Sequence, residues 1–201
     1  MLIVFEGIDG SGKNTQIRKL LAFLRQHRVA YKLHKYPTKK AVDAFAHLSG
    51  EKNVPAERLA AVFAEDIVSE QAQLEKERAG GFVVICDRYL HSTLAYQAVG
   101  IGYEKLKGML EKKNAAVPDL VMLFDLPAGK GAERKKVQKT PDRHEKDVQF
   151  LEKVRQNYLR MGRETFLSYK YAVVDASQGK EEIFSEVITQ IEPLIIRKLE
   201  K

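Results

Sequence analysis

Residues 2–16, Leu-Ile-Val-Phe-Glu-Gly-Ile-Asp-Gly-Ser-Gly-Lys-Asn-Thr-Gln, constrain the fold more than any other stretch of the chain. The apolar run at 2–5 predicts a buried strand, and Gly7, Gly10 and Gly12 then punctuate a turn. From Lys13 onward, Ile17, Leu20, Leu21 and Leu24 recur at helical spacing. Strand, glycine loop, lysine and helix, in that order, are the context in which a phosphate-binding loop works. Glycine lets backbone N–H groups approach anionic oxygens with no Cβ in the way. The helix N-terminus adds partial positive charge to the full charge of Lys13. Gly7, Ile8, Asp9, Gly10, Ser11, Gly12, Lys13, Asn14 and Thr15 are therefore the expected triphosphate cradle. The pattern departs at Asn14, where a Ser or Thr hydroxyl ordinarily ligates Mg²⁺. An amide oxygen is also a hard, neutral ligand, and Thr15 is turned about 100° away around the helix. Either Asn14 holds the metal or water takes its place.

With 201 residues, 44% of them apolar, the chain suits one sizeable α/β domain. No run approaches about 18 consecutive apolar residues, so no membrane-spanning helix is expected. The N-terminus enters a strand at once, which leaves no room for a signal peptide. Cys86, the single cysteine, sits in an apolar run and reads as core. It permits no intrachain disulfide and suits a reducing, cytoplasmic setting. The formal charge of +7 favours anionic partners, nucleotides or nucleic acid, without choosing between them.

After the first helix, 30–36 predicts a second strand stopped by Pro37. In open parallel sheets ligands gather beyond the carboxyl ends of strands, so Lys39 and Lys40 either meet a phosphate or form a solvated loop pair. Pro55 suits a first helical position and opens one long helix to about residue 78. Leu59, Val62, Phe63, Ile67 and Leu74 form its buried stripe, and Phe63 reads most simply as core. Glu65 and Asp66 read as surface, with a part in organising Mg²⁺ as the alternative. The uninterrupted apolar run at 82–86 is that of a central parallel strand, and Asp87-Arg88-Tyr89 follows at its tip. An acid there can hold a metal-bound water, and an arginine can fork onto phosphate oxygens. Ser92, Tyr96 and Gln97 fall about one turn apart on a short helix and can line one face.

A charged helix at 104–114 and a buried strand at 120–126 come next. Lys130, Arg134, Lys135, Lys136, Lys139, Arg143 and Lys146 then crowd around Thr140-Pro141. Alone, such a cluster is a solvated or nucleic-acid-binding patch. Beside a phosphate loop, 128–147 reads better as a mobile cationic flap that closes on phosphates. An amphipathic helix at 150–167, a strand at 171–174 and a final helix from about 180, interrupted near Pro193, complete the chain. Five strands alternating with helices make one doubly wound α/β domain over 1–201.

With these residues placed, the chain resembles the thymidylate kinases, of the P-loop nucleoside monophosphate kinase group, over nearly its whole length. The most specific match is Asp87-Arg88-Tyr89-x-x-Ser92-x-x-x-Tyr96-Gln97, supported by Phe5-Glu6-Gly7-Ile8-Asp9-Gly10-Ser11-Gly12-Lys13. Pro118-Asp119-Leu120-Val121, Asp142-Arg143-His144-Glu145 and Val174-Asp175-Ala176-Ser177 match more weakly. The resemblance implies a P-loop NTPase fold, a five-stranded parallel sheet between two helical layers, and transfer of the ATP γ-phosphoryl group to dTMP with Mg²⁺. It also implies a homodimer through helices that include parts of 55–78 and 88–99, with neither membrane nor nucleic acid as partner.

By position, the resemblance gives Lys13 and the loop amides the ATP phosphates, and gives Asp9, Asp87 and Asn14 the Mg²⁺ ion or its waters. Arg88 bridges donor and acceptor phosphates, and Phe63 stacks on thymine. Pro37, Ser92, Tyr96 and Gln97 match the nucleotide pocket, and Lys39 stands where an arginine often meets the monophosphate. Arg134 and Arg143 belong to the lid and supply catalytic cations, and the 175–178 turn, with Asp175 and Ser177, lies near adenine. Some members carry an arginine within the P-loop; that place is Gly10 here, which fits a variant supplying its cation from the lid.

Beyond Asn14 there are two departures. Ile67 occupies the place of a pocket arginine, and Tyr36-Pro37-Thr38-Lys39 replaces the common Glu-Pro-Gly-Gly, closer to the Phe-Pro form of other members. Two rival readings follow. Ile67 favours a related monophosphate kinase with altered base specificity. Asn14, Ile67 and the positive charge together favour a catalytically weak nucleotide-binding protein.

Overall fold

Five segments form the strands of one parallel sheet: β1 (Leu2–Glu6), β2 (Tyr31–Lys35), β3 (Val83–Asp87), β4 (Leu120–Asp125) and β5 (Tyr171–Asp175). Their spatial order is β2-β3-β1-β4-β5. The computed structural model describes residues 1–136 and 147–199. The helices, in chain order, are α1 (Lys13–Gln26), α2 (Val42–Leu48), α3 (Ala56–Ser69), α4 (Gln71–Ala79), α5 (Leu90–Ile101), α6 (Tyr103–Glu111), α7 (Ala128–Lys136), α8 (Val148–Glu164) and α9 (Lys180–Leu199).

β1 and β3 are buried along their whole length, as strands covered on both faces must be. On one face, Ile17, Leu20 and Leu24 of α1 pack with Ile183, Val187 and Ile191 of α9. On the other, Ala64 and Ile67 of α3 and Leu94 of α5 join Val154 and Tyr158 of α8. The result is the three-layer α/β/α arrangement of P-loop NTPases. Cys86 is buried in the second cluster, as expected. Phe5 pairs with Asp87 across β1 and β3, and Asp125 with Asp175 across β4 and β5. The acids that end these strands therefore collect at one edge of the sheet, where ligands of such folds bind. Among the described residues, no helix is long and apolar enough to cross a membrane.

The helix expected over 55–78 is two helices, α3 and α4, that break at Glu70. No glycine or proline marks the break. Gln71 makes it instead: its amide donates to the Ile67 carbonyl at 2.9 Å, and its Oε1 accepts from the Tyr89 hydroxyl at 3.0 Å and the Ala116 N–H at 2.7 Å. The side chain thus satisfies a helix-end carbonyl and ties the break to α5 and the β4 approach. The interruption expected near Pro193 does not occur, because α9 continues through it. Proline removes one helical hydrogen bond, but Ile183, Val187, Ile191 and Ile195 form one buried stripe across that point, and packing holds the helix together.

Asp66 is not on the surface. It is buried and accepts from the Thr38 N–H at 2.7 Å and the Thr38 hydroxyl at 2.5 Å, pinning the loop that follows β2.

His91 is fully buried in α5, with Nε2 2.9 Å from the Phe166 carbonyl and its ring edge-on to that of Phe166. Burial pushes its pKa down to about 4, against about 6.5 in an unfolded chain. Between those values the unfolded state binds a proton that the folded state refuses, so stability falls as pH drops from 6.5 towards 4. The full effect is roughly 3 kcal/mol. Urea unfolding of a His91→Gln variant between pH 4 and 7 is expected to show a flatter acid slope than the parent. An unchanged slope would mean that His91 binds its proton equally well in the folded and unfolded states.

Candidate active site

The loop after β1 is shaped by contacts that forbid side chains. A Cβ on Gly7 (φ +149°) would stand 2.8 Å from the Phe124 carbonyl oxygen, and one on Gly10 (φ +83°) only 2.5 Å from the Gly131 carbonyl oxygen. The loop is therefore pressed against β4 on one side and against α7 on the other. Gly12 precedes α1 and brings no capping side chain. The Thr15 N–H bonds to the Gly12 carbonyl at 2.9 Å, and the N–H groups ahead of it stand at the positive end of the helix, where an anion is favoured.

Two cation–carboxylate pairs stand beside it. Lys13 Nζ donates to Asp87 Oδ1 at 2.6 Å, with side chains only 8% and 7% exposed, and Lys35 Nζ lies 3.5 Å from the other oxygen of Asp87. Burial works against ionisation of Asp87, yet Lys13, Arg88 and Lys35 together outweigh it and hold the carboxyl below its usual range. Arg88 donates from Nη2 to Asp9 Oδ1 at 2.8 Å and from Nη1 to Ser92 Oγ at 3.0 Å. Its guanidinium lies 5.3 Å from the Tyr96 ring centroid, a cation–π distance. The Tyr96 hydroxyl in turn reaches Asp9 Oδ2 at 3.4 Å. The Arg88 backbone is left-handed (φ +72°), a strained conformation for a non-glycine residue.

Glu6, inside the apolar strand run, is a site residue the sequence reading missed. Its carboxylate is wholly buried and receives bonds from Tyr89, Ser92 and Tyr158. Burial raises its pKa, while Arg88, Ser92 and Tyr158 pull the other way. A signal was present: a charge inside a strand predicted to be buried must find partners.

A cavity of about 250 Å³ opens from these pairs. Asp9, Lys13, Asn14, Asp87 and Arg88 line its charged end. Tyr36, Pro37, Leu48, Phe63 and Ile67 form an apolar wall, and Thr93, Tyr96 and Gln97 of α5 face it. Phe63 and Ile67 sit one turn apart on α3, so both reach the cavity. The Ser92 hydroxyl also lines it but is engaged by Glu6, Arg88 and Tyr158.

Lys39 is exposed and outside the cavity lining, whereas Lys35 belongs to it. Thr15 lies partly buried in the first turn of α1. Asp175 and Ser177 form an exposed turn in which the Ser177 N–H donates to Asp175 at 2.9 Å. Arg134 donates to the Ala176 carbonyl at 2.9 Å, joining α7 to that turn. In the segment expected to be a flap, 128–136 is the helix α7. Arg143, with the rest of 137–146, lies outside the described residues.

A glycine loop on a helix N-terminus, a lysine opening that helix, and an arginine bonded to the loop at the charged end of the cavity define a class: P-loop phosphotransferases. Comparison with known proteins narrows this. A family model described as thymidylate kinase matches residues 5–187. The chain is 38% identical over 192 residues to a probable thymidylate kinase of Methanocaldococcus jannaschii, covering 94% of each chain. It is 33% identical to a probable thymidylate kinase of Thermococcus kodakarensis, covering 97% of this chain and 98% of that one. A thymidylate kinase of Chromobacterium violaceum is 31% identical, with 97% and 95% covered. The chain belongs to the thymidylate kinase family.

Proposed function

We infer that this chain transfers the γ-phosphoryl group of ATP to dTMP, releasing dTDP and ADP. The observation that carries this reading is the placement of Arg88 between the P-loop and an aromatic-walled cavity, tied to Asp9 at 2.8 Å. Phosphoryl transfer needs no covalent intermediate, only alignment and cations around a transition state whose charge spreads over the moving group. Lys13 and the loop amides serve the donor phosphates. Arg88 reaches from the acceptor side, and Lys35, on the cavity wall, is better placed than Lys39 for the acceptor phosphate. Phe63 supplies a ring face for the base, with Thr93 and Gln97 as polar neighbours.

Mg²⁺ fits the donor set. Among the described residues no three His, Cys, Asp or Glu side chains cluster for a protein-only metal site. Mg²⁺, however, usually keeps several waters and binds through one or two carboxylates plus substrate phosphates. Asp9, Asp87 and Asn14 at the charged end of the cavity are the residues to hold it. Bound there, the ion neutralises charge on the phosphate oxygens. We further propose that 1–201 acts as one kinase domain, that α7 begins its lid, and that the enzyme is a homodimer.

The test is ADP release from ATP and Mg²⁺ against dTMP, dUMP, dCMP, dGMP, UMP and AMP. Strong preference for dTMP is the expected result and means that Ile67 is compensated within the pocket. Preference for another base moves the substrate and leaves the kinase. No monophosphate-dependent turnover at all overturns the reading.

A further inference from the structure

Glu6 is absent from the cavity lining, yet through Ser92 and the first turn of α5 its bonds lead to Arg88. We propose that Glu6 is the positioning residue for Arg88, holding its guanidinium through Ser92 and the first turn of α5. The proposal rests on the phosphoryl-transfer reading and adds to it a residue without a substrate contact.

The carboxylate divides its work between its two oxygens. Oε1 accepts from the Tyr89 N–H at 2.7 Å and the Ser92 N–H at 3.2 Å. The Ser92 N–H, which also reaches the Tyr89 carbonyl at 3.0 Å, is a donor that a capping side chain would take at the start of α5, and Tyr89, in the capping position, supplies none. A strand residue 83 positions upstream thus caps the helix. The same contact secures the left-handed backbone at Arg88, whose N–H bonds to the Phe5 carbonyl next to Glu6.

Oε2 accepts from the Ser92 hydroxyl at 2.6 Å and from the Tyr158 hydroxyl at 2.9 Å. A hydroxyl has one hydrogen and two lone pairs. Once Ser92 gives its hydrogen to Glu6, only lone pairs remain to meet Arg88 Nη1 at 3.0 Å. Glu6 therefore fixes the polarity of the bond that holds one arm of the guanidinium, while Asp9 holds the other at 2.8 Å. Through Tyr158 the same oxygen reaches α8, so the β1 end, the Arg88 turn and that helix meet at one carboxylate.

Glu6→Gln keeps size and shape, but the introduced amide donates to Ser92 and turns the hydroxyl hydrogen towards the guanidinium. The expected result is a kcat lower by about 10–100-fold, with KM for ATP and dTMP within about threefold of the parent, because orientation is lost and binding is not. In an Arg88→Lys background, where no planar fork remains to be oriented, the same change is expected to cost less than about twofold. A cost that carries over undiminished, or one expressed mainly in KM, overturns the assignment. If thermal melting shows Glu6→Gln to be unfolded, Glu6→Asp, which keeps the charge and shortens the reach, is taken through the same cycle with the same criteria. The parent enzyme is assayed alongside. A parent without dTMP-dependent turnover counts against the proposed function, whereas an active parent with an additive cycle counts against Glu6 alone.

Discussion

Arg88→Ala is expected to lower kcat by about a thousandfold, in line with what an arginine at a transferring phosphoryl group contributes. The side chain is 18% exposed, lines the cavity and is gripped by Asp9, Ser92 and the face of Tyr96. It is a cation held ready in one orientation, and a preorganised charge stabilises a transition state without reorganising during the reaction. The left-handed backbone at this position is unaffected by the change, so alanine inherits the same strain. Stability loss should therefore be modest beside the loss of turnover. Saturating-substrate assays of ADP release, paired with thermal melting, separate the two. A folded variant that keeps turnover within tenfold of the parent removes Arg88 from the chemistry.

Lys13→Ala is expected to act on two properties at once. Turnover should fall roughly 10²–10³-fold, the range for removing one preorganised donor from a developing anion. The substitution also strips Asp87 of its 2.6 Å partner and leaves it only the more distant Lys35. Breaking a buried pair from one side costs about 3–5 kcal/mol, because the remaining charge stays desolvated. Asp87 has a depressed pKa in the folded parent. Its ion-pair stabilisation is present above the unfolded carboxyl value near 3.9 and is lost as pH falls through the folded value. The stability gap between Lys13→Ala and the parent should therefore narrow in acid. Adding Asp87→Asn to Lys13→Ala should recover stability at neutral pH without recovering activity. Denaturation curves of the single and double variants decide this, and a double variant no more stable than the single one would contradict it.

What the sequence reveals and what it hides divide along physical lines. The phosphate loop is legible because glycines, a lysine and two periodicities stand in fixed order within a few residues. The central strands β1, β3 and β4 are legible because a sheet covered on both faces demands continuous apolar runs. Asp87 and Arg88 are legible as the charged residues that end such a run. The α3–α4 break is hidden because it is made by one glutamine that bonds residues far away in sequence. The helix α7 is hidden because Gly129 and Gly131 argue locally against a helix. Pro193 misleads in the other direction, since its local penalty is outweighed by a buried stripe that only the folded chain assembles. Asp66 and Glu6 show why acids are hard to place: the donors that bury them, Thr38 in one case and Tyr89, Ser92 and Tyr158 in the other, come from elsewhere in the fold.

The close approach of Gly10 to Gly131 bears on how such chains diverge. With 2.5 Å between a Cβ at position 10 and the Gly131 carbonyl oxygen, any side chain at 10 collides with backbone, which cannot swing aside as a side chain would. A lineage that came to place a cation at position 10 had first to carry the 131 backbone away. Reversion to glycine at position 10 meets no such barrier, because removing a side chain creates no collision. The two glycines form a one-way gate in sequence space, and substitutions there are tolerated in one order and refused in the other.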